Sequence, residues 1–108
     1  MAASEIKNRR RSKRVCFINE VEVVEVGMHR SLDLSLGGLY IETVNSFPVD
    51  SVVTLRFSLG DADEQTISVS ARVLYIHEGI GVGLAFVNLN IHDRERIEKF
   101  IDQNFQGE

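Results

Sequence analysis

The sequence predicts an all-β fold, a small barrel of about six strands with a C-terminal helix laid over it. Two observations carry this. From Val15 to Val87, apolar residues recur at every second position in short runs broken by Gly, Asn and the chain's one proline, the signature of strands with one dry face. After Asn90 the apolar spacing changes to that of a helix. At 108 residues the chain can form one core and not two.

Val15–Val26 opens the β region. Glu20-Val21-Glu22-Val23 alternates acid and apolar, then slips by one at Val23-Val24, which predicts a β-bulge there, and Gly27 allows a turn. Ser31–Leu36 predicts a short strand, and Gly37-Gly38 a hairpin needing positive φ. Leu39-Tyr40-Ile41 leads out of it, and Asn45-Ser46-Phe47-Pro48 ends that strand, where a missing N–H costs nothing. Val53, Leu55, Phe57 and Leu59 share one face of the next strand. Gly60–Glu64 reads as an acidic turn. Ile67, Val69, Ala71, Val73 and Tyr75 repeat at period two, and Glu78-Gly79 closes that strand. Ile80, Val82, Leu84 and Phe86 form the last one, with Gly79, Gly81 and Gly83 spaced through its start. Asn90 caps a helix, with Asp93 three residues on in an imperfect capping box. Ile97, Phe100, Ile101 and Phe105 make its apolar stripe.

Composition narrows the function classes. The single cysteine rules out an internal disulfide and a cysteine-rich zinc site and fits a reducing compartment; Cys16 itself is expected to be buried as a small apolar residue. No apolar h-region opens the chain and no run is long enough to span a bilayer, so the cytoplasm is the expected compartment. His29, His77 and His92 lie far apart, without the carboxylate or cysteine spacing of a metal site, and are expected at surfaces or turns. Glu20, Glu22 and Glu25 read as a solvated strand face. No nucleophile with its base, no paired carboxylates and no phosphate-gripping glycine loop followed by lysine is found, so an enzyme is not expected.

Charge is where the sequence becomes specific. Six of the twelve basic residues fall between Lys7 and Arg14 with no acid among them, while Val15–Glu108 holds fifteen acids against six bases. A cationic run on so acidic a domain reads as an arm kept for an anion. Residues 1–14 form that arm, expected to be flexible until neutralised, and residues 15–108 form the barrel with its helix. Guanidinium forks grip phosphates bidentately, stack on flat bases and read the O6/N7 edge of guanine. Downstream stands Asp33-Leu34-Ser35-Leu36-Gly37-Gly38. A carboxylate accepts from the N1–H and N2–H₂ of guanine, a serine two residues on shares its side of an extended strand, and Gly38 permits close approach or a sharp turn. Together these residues describe a site for a guanine-containing anion.

At these positions the chain resembles the PilZ domain family, receptor modules for the bacterial second messenger cyclic di-GMP (cyclic diguanylate). Arg10-Arg11-Ser12-Lys13-Arg14 matches that family's Arg-x-x-x-Arg motif, and Asp33 to Gly38 its (Asp/Asn)-x-Ser-x-x-Gly motif. Gly81-Val82-Gly83-Leu84-Ala85-Phe86-Val87 and the closing helix also fit. The resemblance implies a six-stranded antiparallel PilZ-type barrel around which the arm wraps the nucleotide. Arg10 and Arg14 would meet phosphates and guanine edges, Asp33 and Ser35 would hold a guanine, and Gly37 and Gly38 would shape the loop. Arg9 and Arg11 flank the motif, and Arg9 is placed to stack on a second, intercalated ligand. No cofactor is implied. A non-catalytic receptor of this kind would signal through a downstream protein effector or as a homodimer. The alternative is a small nucleic-acid-binding β-barrel using the same arm; a net charge of −4 and the lack of a row of exposed aromatics count against it.

Overall fold

The computed structural model describes residues 13–60 and 65–105. The arm with Arg9, Arg10 and Arg11, and most of the acidic turn at 61–64, lie outside those residues. Seven strands and one helix follow in order: β1 Arg14–Cys16, β2 Glu20–Val23, β3 Gly27–Ser35, β4 Gly38–Glu42, β5 Val52–Phe57, β6 Ile67–His77, β7 Gly81–Val87 and α1 Ile91–Asn104. All pairings are antiparallel. The sheet runs β1-β3-β2-β5-β6-β7-β4, and β3 also pairs with β4. That last pairing closes six strands, β2 to β7, into a barrel, and β1 is an addition to it.

β3 organises the closure. One of its edges carries β4 from Arg30 to Ser35. Its other edge is shared: β2 takes Gly27–Arg30 and β1 takes Asp33–Ser35. The sequence suggested one β segment where the structure has two, because the chain steps out of register between them. Ser31, wholly buried, bridges the step. Its Oγ donates to the Phe17 carbonyl at 2.6 Å and accepts from the Asn19 N–H at 3.1 Å. Opposite, Leu32 is the extra residue of a bulge between Ser31 and Asp33.

Three further expectations are corrected. The slip at Val23-Val24 is not a bulge: β2 ends there, and Val24–Val26 form the turn into β3, with Glu25 at φ 71° and Gly27 at φ 135°. β3 therefore begins at Gly27 rather than Ser31. The hairpin turn is made by Leu36-Gly37, with Gly38 opening β4, and neither glycine has positive φ. Gly38 is needed for space, since a Cβ there would collide with the carbonyl oxygen of Leu84 on β7. Tyr75 leaves the inward row because β6 bulges at Leu74, which puts Tyr75 outside, 42% exposed, and turns Ile76 toward the core.

The rest packs as the alternation demands. Leu55, Phe57 and Leu59, Ile67, Val69, Ala71 and Val73, and Val82 and Leu84 fill the barrel with Val21, Val23, Leu34, Leu39 and Ile41. α1 covers one end, against β1 and β3, and buries Ile97 and Ile101. Phe17 joins helix to barrel: its ring meets Phe100 edge-on at 5.5 Å and Phe57 at 6.0 Å. The helix starts where its cap predicts. Asn90 Oδ1 accepts from the Asp93 N–H at 2.8 Å, and Asn90 Nδ2 donates to Asp93 Oδ2 at 3.0 Å, so the return bond runs to the cap's side chain. No helix among the described residues is long and apolar enough to cross a membrane.

Candidate functional site

The pairing of β1 with β3 brings the two sequence motifs together. Arg14 opens β1 opposite Ser35, and Cys16 lies opposite Asp33. Alternation turns Arg14, Cys16 and Asp33 to the same outer face. From there the Arg14 guanidinium crosses diagonally, and Nη1 donates to Asp33 Oδ1 at 2.8 Å. Both side chains keep solvent contact, 49% and 34% exposed, so the pair is held in place yet open to a ligand. Cys16 is exposed, contrary to the expected burial, because the strand's phase turns Val15 and Phe17 inward.

Ser35 has a local task. It is buried, and its Oγ accepts from the Gly37 N–H at 3.3 Å and donates to the Gly38 carbonyl at 3.2 Å. The hydroxyl thus fixes the two-residue turn, Leu36-Gly37, that follows it. Leu36 and Gly37 at that turn form one wall of a cleft of about 360 Å³, completed by Phe86, Asn88, Leu89 and Arg94. This volume falls in the range of small-ligand sites, and it places a further arginine beside the motif.

Lys13, the fourth residue of the arginine motif, is anchored. Its Nζ is 3.0 Å from Asp102 Oδ1 on α1 and 4.8 Å from the centre of the Phe105 ring. The root of the basic segment is thereby pinned between β1 and the helix. The only signal of this in the sequence was a lysine inside an arginine run.

Around the barrel from Asp33, strand register builds an outer row that sequence reasoning missed. Asp33 pairs with Tyr40 on β4, Tyr40 with Gly83 on β7, and Gly83 with Tyr75 on β6. The alternate glycines of β7, noted in the sequence only as spaced, admit these rings: a Cβ at Gly81 would strike Tyr40 and one at Gly83 would strike Tyr75. Such covering of strand glycines by aromatic rings is a recurring device of sheets. Tyr40 OH lies 3.0 Å from His77 Nδ1, and the Tyr75 ring sits 5.1 Å from His77 and 6.3 Å from Tyr40. Burial, with Tyr75, Glu42 and Asp33 nearby, raises the pKa of Tyr40 above its ordinary value. No cluster of metal-ligating side chains occurs among the described residues.

A barrel capped by a helix, with an arginine and an aspartate from two short motifs meeting on its wall, has a counterpart among known families. The PilZ domain model matches residues 8–103. This chain belongs to the PilZ domain family. Several solved structures share its fold. The Bacillus subtilis inhibitor of motility MotI/DgrA superposes with a TM-score of 0.79 at 19% identity, covering 88% of this chain and 50% of that one, so this chain spans about half the length of that protein. The PilZ domain of CeSA from a cellulose-synthesising bacterium gives 0.60 at 19% identity, over 85% and 97% of the two chains. The Borreliella burgdorferi PlzA protein, in complex with c-di-GMP, gives 0.56 at 14% identity, over 93% and 44%. No curated protein matches the sequence.

Proposed function

We propose that this PilZ domain is a non-catalytic receptor for cyclic di-GMP, gripped between the basic segment and the outer wall at Asp33. The supporting observation is the 2.8 Å contact of Arg14 with Asp33, which puts a phosphate- and guanine-binding fork beside a carboxylate of the right hydrogen-bonding sense for the N1–H/N2–H₂ edge of guanine. Arg10 closes over the ligand from the segment before β1, with Arg9 and Arg11 adding charge and stacking surface. Ser35, Gly37 and Gly38 act through the turn, whose shape sets where Asp33 points. The c-di-GMP complex of PlzA, a protein of the same fold, agrees with this ligand class.

Ordering the segment costs ~1–2 kcal/mol per residue, offset by charge-assisted hydrogen bonds at ~1.5–3 kcal/mol each. A bound ligand would thus fix Arg9, Arg10 and Arg11 against the barrel, beside Lys13 and Arg14, and present a changed surface to a downstream protein effector. Isothermal titration with cyclic di-GMP tests the reading. The wild-type chain is expected to bind, and Arg10→Ala and Asp33→Ala each to weaken binding by roughly 10–100-fold. A chain that ignores cyclic di-GMP but takes up single-stranded oligonucleotide, with strong salt dependence and indifference to Asp33→Ala, would be the nucleic-acid barrel instead.

A further inference from the structure

We propose that the end of the barrel away from the helix is a protein-docking surface, shaped for a cationic segment of a partner that also carries apolar side chains. It is separate from the wall at Asp33 and does not depend on the receptor reading.

Strand directions gather this surface. The six antiparallel strands bring three connections to one end: residues 24–26 between β2 and β3, 43–51 between β4 and β5, and 78–80 between β6 and β7. The helix, packed on β1 and β3, lies at the other end. The longest connection is laced to its neighbours. The Thr43 N–H donates to the Ile80 carbonyl at 3.0 Å, and the Asp50 N–H to the Val73 carbonyl at 2.8 Å. Phe47 is buried beneath it, its ring 6.2 Å from that of His29 on β3. The end is thus one preformed face rather than three separate loops, which lowers the ordering cost of a contact.

Two properties say what fits. The first is apolar surface. Of the ten large apolar side chains exposed among the described residues, Val26, Val44, Val49 and Ile80 lie in these connections and Val52 follows directly, so half of the set crowds at one end. Val44 is 83% exposed and Ile80 64%. Single exposed apolar residues need no explanation, but such a concentration marks a contact surface. The second property is charge. The three connections carry Glu25, Asp50 and Glu78 and no lysine or arginine. All three acids are exposed, and none forms an ion pair among the described residues. Arginines begin only on the strands: Arg30 faces Glu42 at 3.9 Å, and Arg72 lies across from Val52.

The occupant follows from the two together. A second copy of the chain would set the same acids against each other with no base in the loops to answer them. A nucleic acid or an anionic membrane meets the same repulsion. The chain's own basic run from Lys7 to Arg14 offers charge but no apolar side chain, and Lys13 fixes its root on the helix. A partner that presents lysines or arginines around an apolar stripe matches both properties.

The test titrates the full, isotope-labelled chain with two synthetic amphipathic peptides of equal length, one of Leu and Lys, the other of Leu and Glu. In about 0.15 M salt the Leu/Lys peptide is expected to shift the amide resonances of Val26, Val44, Val49 and Ile80, and the Leu/Glu peptide to leave them in place. Val44→Ser and Ile80→Ser combined should weaken Leu/Lys binding roughly tenfold or more, while cyclic di-GMP affinity stays that of wild type. Should that variant fail to fold by thermal melting, Glu78→Lys decides, and it is expected to weaken the Leu/Lys peptide as well. Unmoved amides, an equal response to both peptides, or shifts spread over Glu20 and Glu22 and erased by salt overturn the surface. So does a dimer in sedimentation that Ile80→Ser disperses, since a second copy would then be the occupant. A wild type that takes the Leu/Lys peptide at this end but ignores cyclic di-GMP supports the surface and removes the receptor reading.

Discussion

Arg14 and Asp33, nineteen residues apart in the chain, meet at 2.8 Å on the outside of the barrel. They meet because the short strand β1 pairs with the C-terminal half of β3, on the stretch of edge that β2 leaves uncovered. An ion pair between half-exposed side chains adds little stability, ~0–1 kcal/mol. Its value is positional, since it stations one cation of the basic segment beside the one motif carboxylate.

That separation of stability from binding is testable. Arg14→Ala should leave the melting temperature within a few degrees of wild type while weakening cyclic di-GMP binding roughly 10–100-fold. Calorimetry of Arg14→Ala, Asp33→Ala and the double variant should give effects that do not add, because the two groups share one ligand. Strict additivity would mean that they act on separate sites.

The glycines of the turn should behave oppositely. A Cβ at Gly38 meets the backbone of Leu84, which cannot swing aside, whereas at Gly37 the nearest atom is the Ser35 Oγ at 4.0 Å. Gly38→Ala is expected to cost about 1–3 kcal/mol or more by overpacking, read as a melting temperature lower by roughly 5–15 °C. Gly37→Ala should stay within about 0.5 kcal/mol of wild type. Equal effects would show that close strand approach is not what selects glycine at 38.

Ser31→Ala should destabilise the domain by about 1–3 kcal/mol, since it deletes the hydroxyl that bridges β1 and β2 and leaves buried backbone groups without a partner. Denaturant unfolding gives the magnitude. Hydrogen exchange at the Asn19 amide, which donates to Ser31 Oγ, should speed up by more than the global loss explains.

Tyr40 predicts an alkaline limit. Its pKa is raised above 10.0, first by burial and then by Tyr75, Glu42 and Asp33. The folded chain therefore keeps this phenol protonated more firmly than the unfolded chain does. The associated stability is whole below pH 10 and is lost as pH rises through the higher folded value. In a Tyr75→Phe background Tyr40 is the only tyrosine, and its absorbance at 295 nm should titrate with a midpoint above 10.0. Tyr40→Phe should soften the decline of stability in that window.

How far the sequence could be read depends on which contacts are local. The helix was legible to its first residue because Asn90 and Asp93 cap it from within, and the runs Leu55–Leu59 and Ile67–Val73 were legible because period two fixes their faces. Tyr75 was misplaced because a bulge at Leu74 obeys the curvature of a closed sheet and leaves no mark on composition. The spacing of Gly38, Gly81 and Gly83 was visible, but what they make room for, the Leu84 carbonyl and two tyrosine rings, comes from strands distant in sequence. Likewise both motifs could be found along the chain. Their meeting through Arg14 and Asp33 needed the register of β1 on β3, and the anchoring of Lys13 on Asp102 needed the packing of the helix beside β1.

The exposed sulfur of Cys16, directly across from Asp33, gives the experimenter a handle that needs no engineering. As the chain's sole thiol, it accepts a single fluorophore or spin label one strand away from the proposed guanine contact. Occupancy of the wall could then be followed in real time by a probe seated beside it.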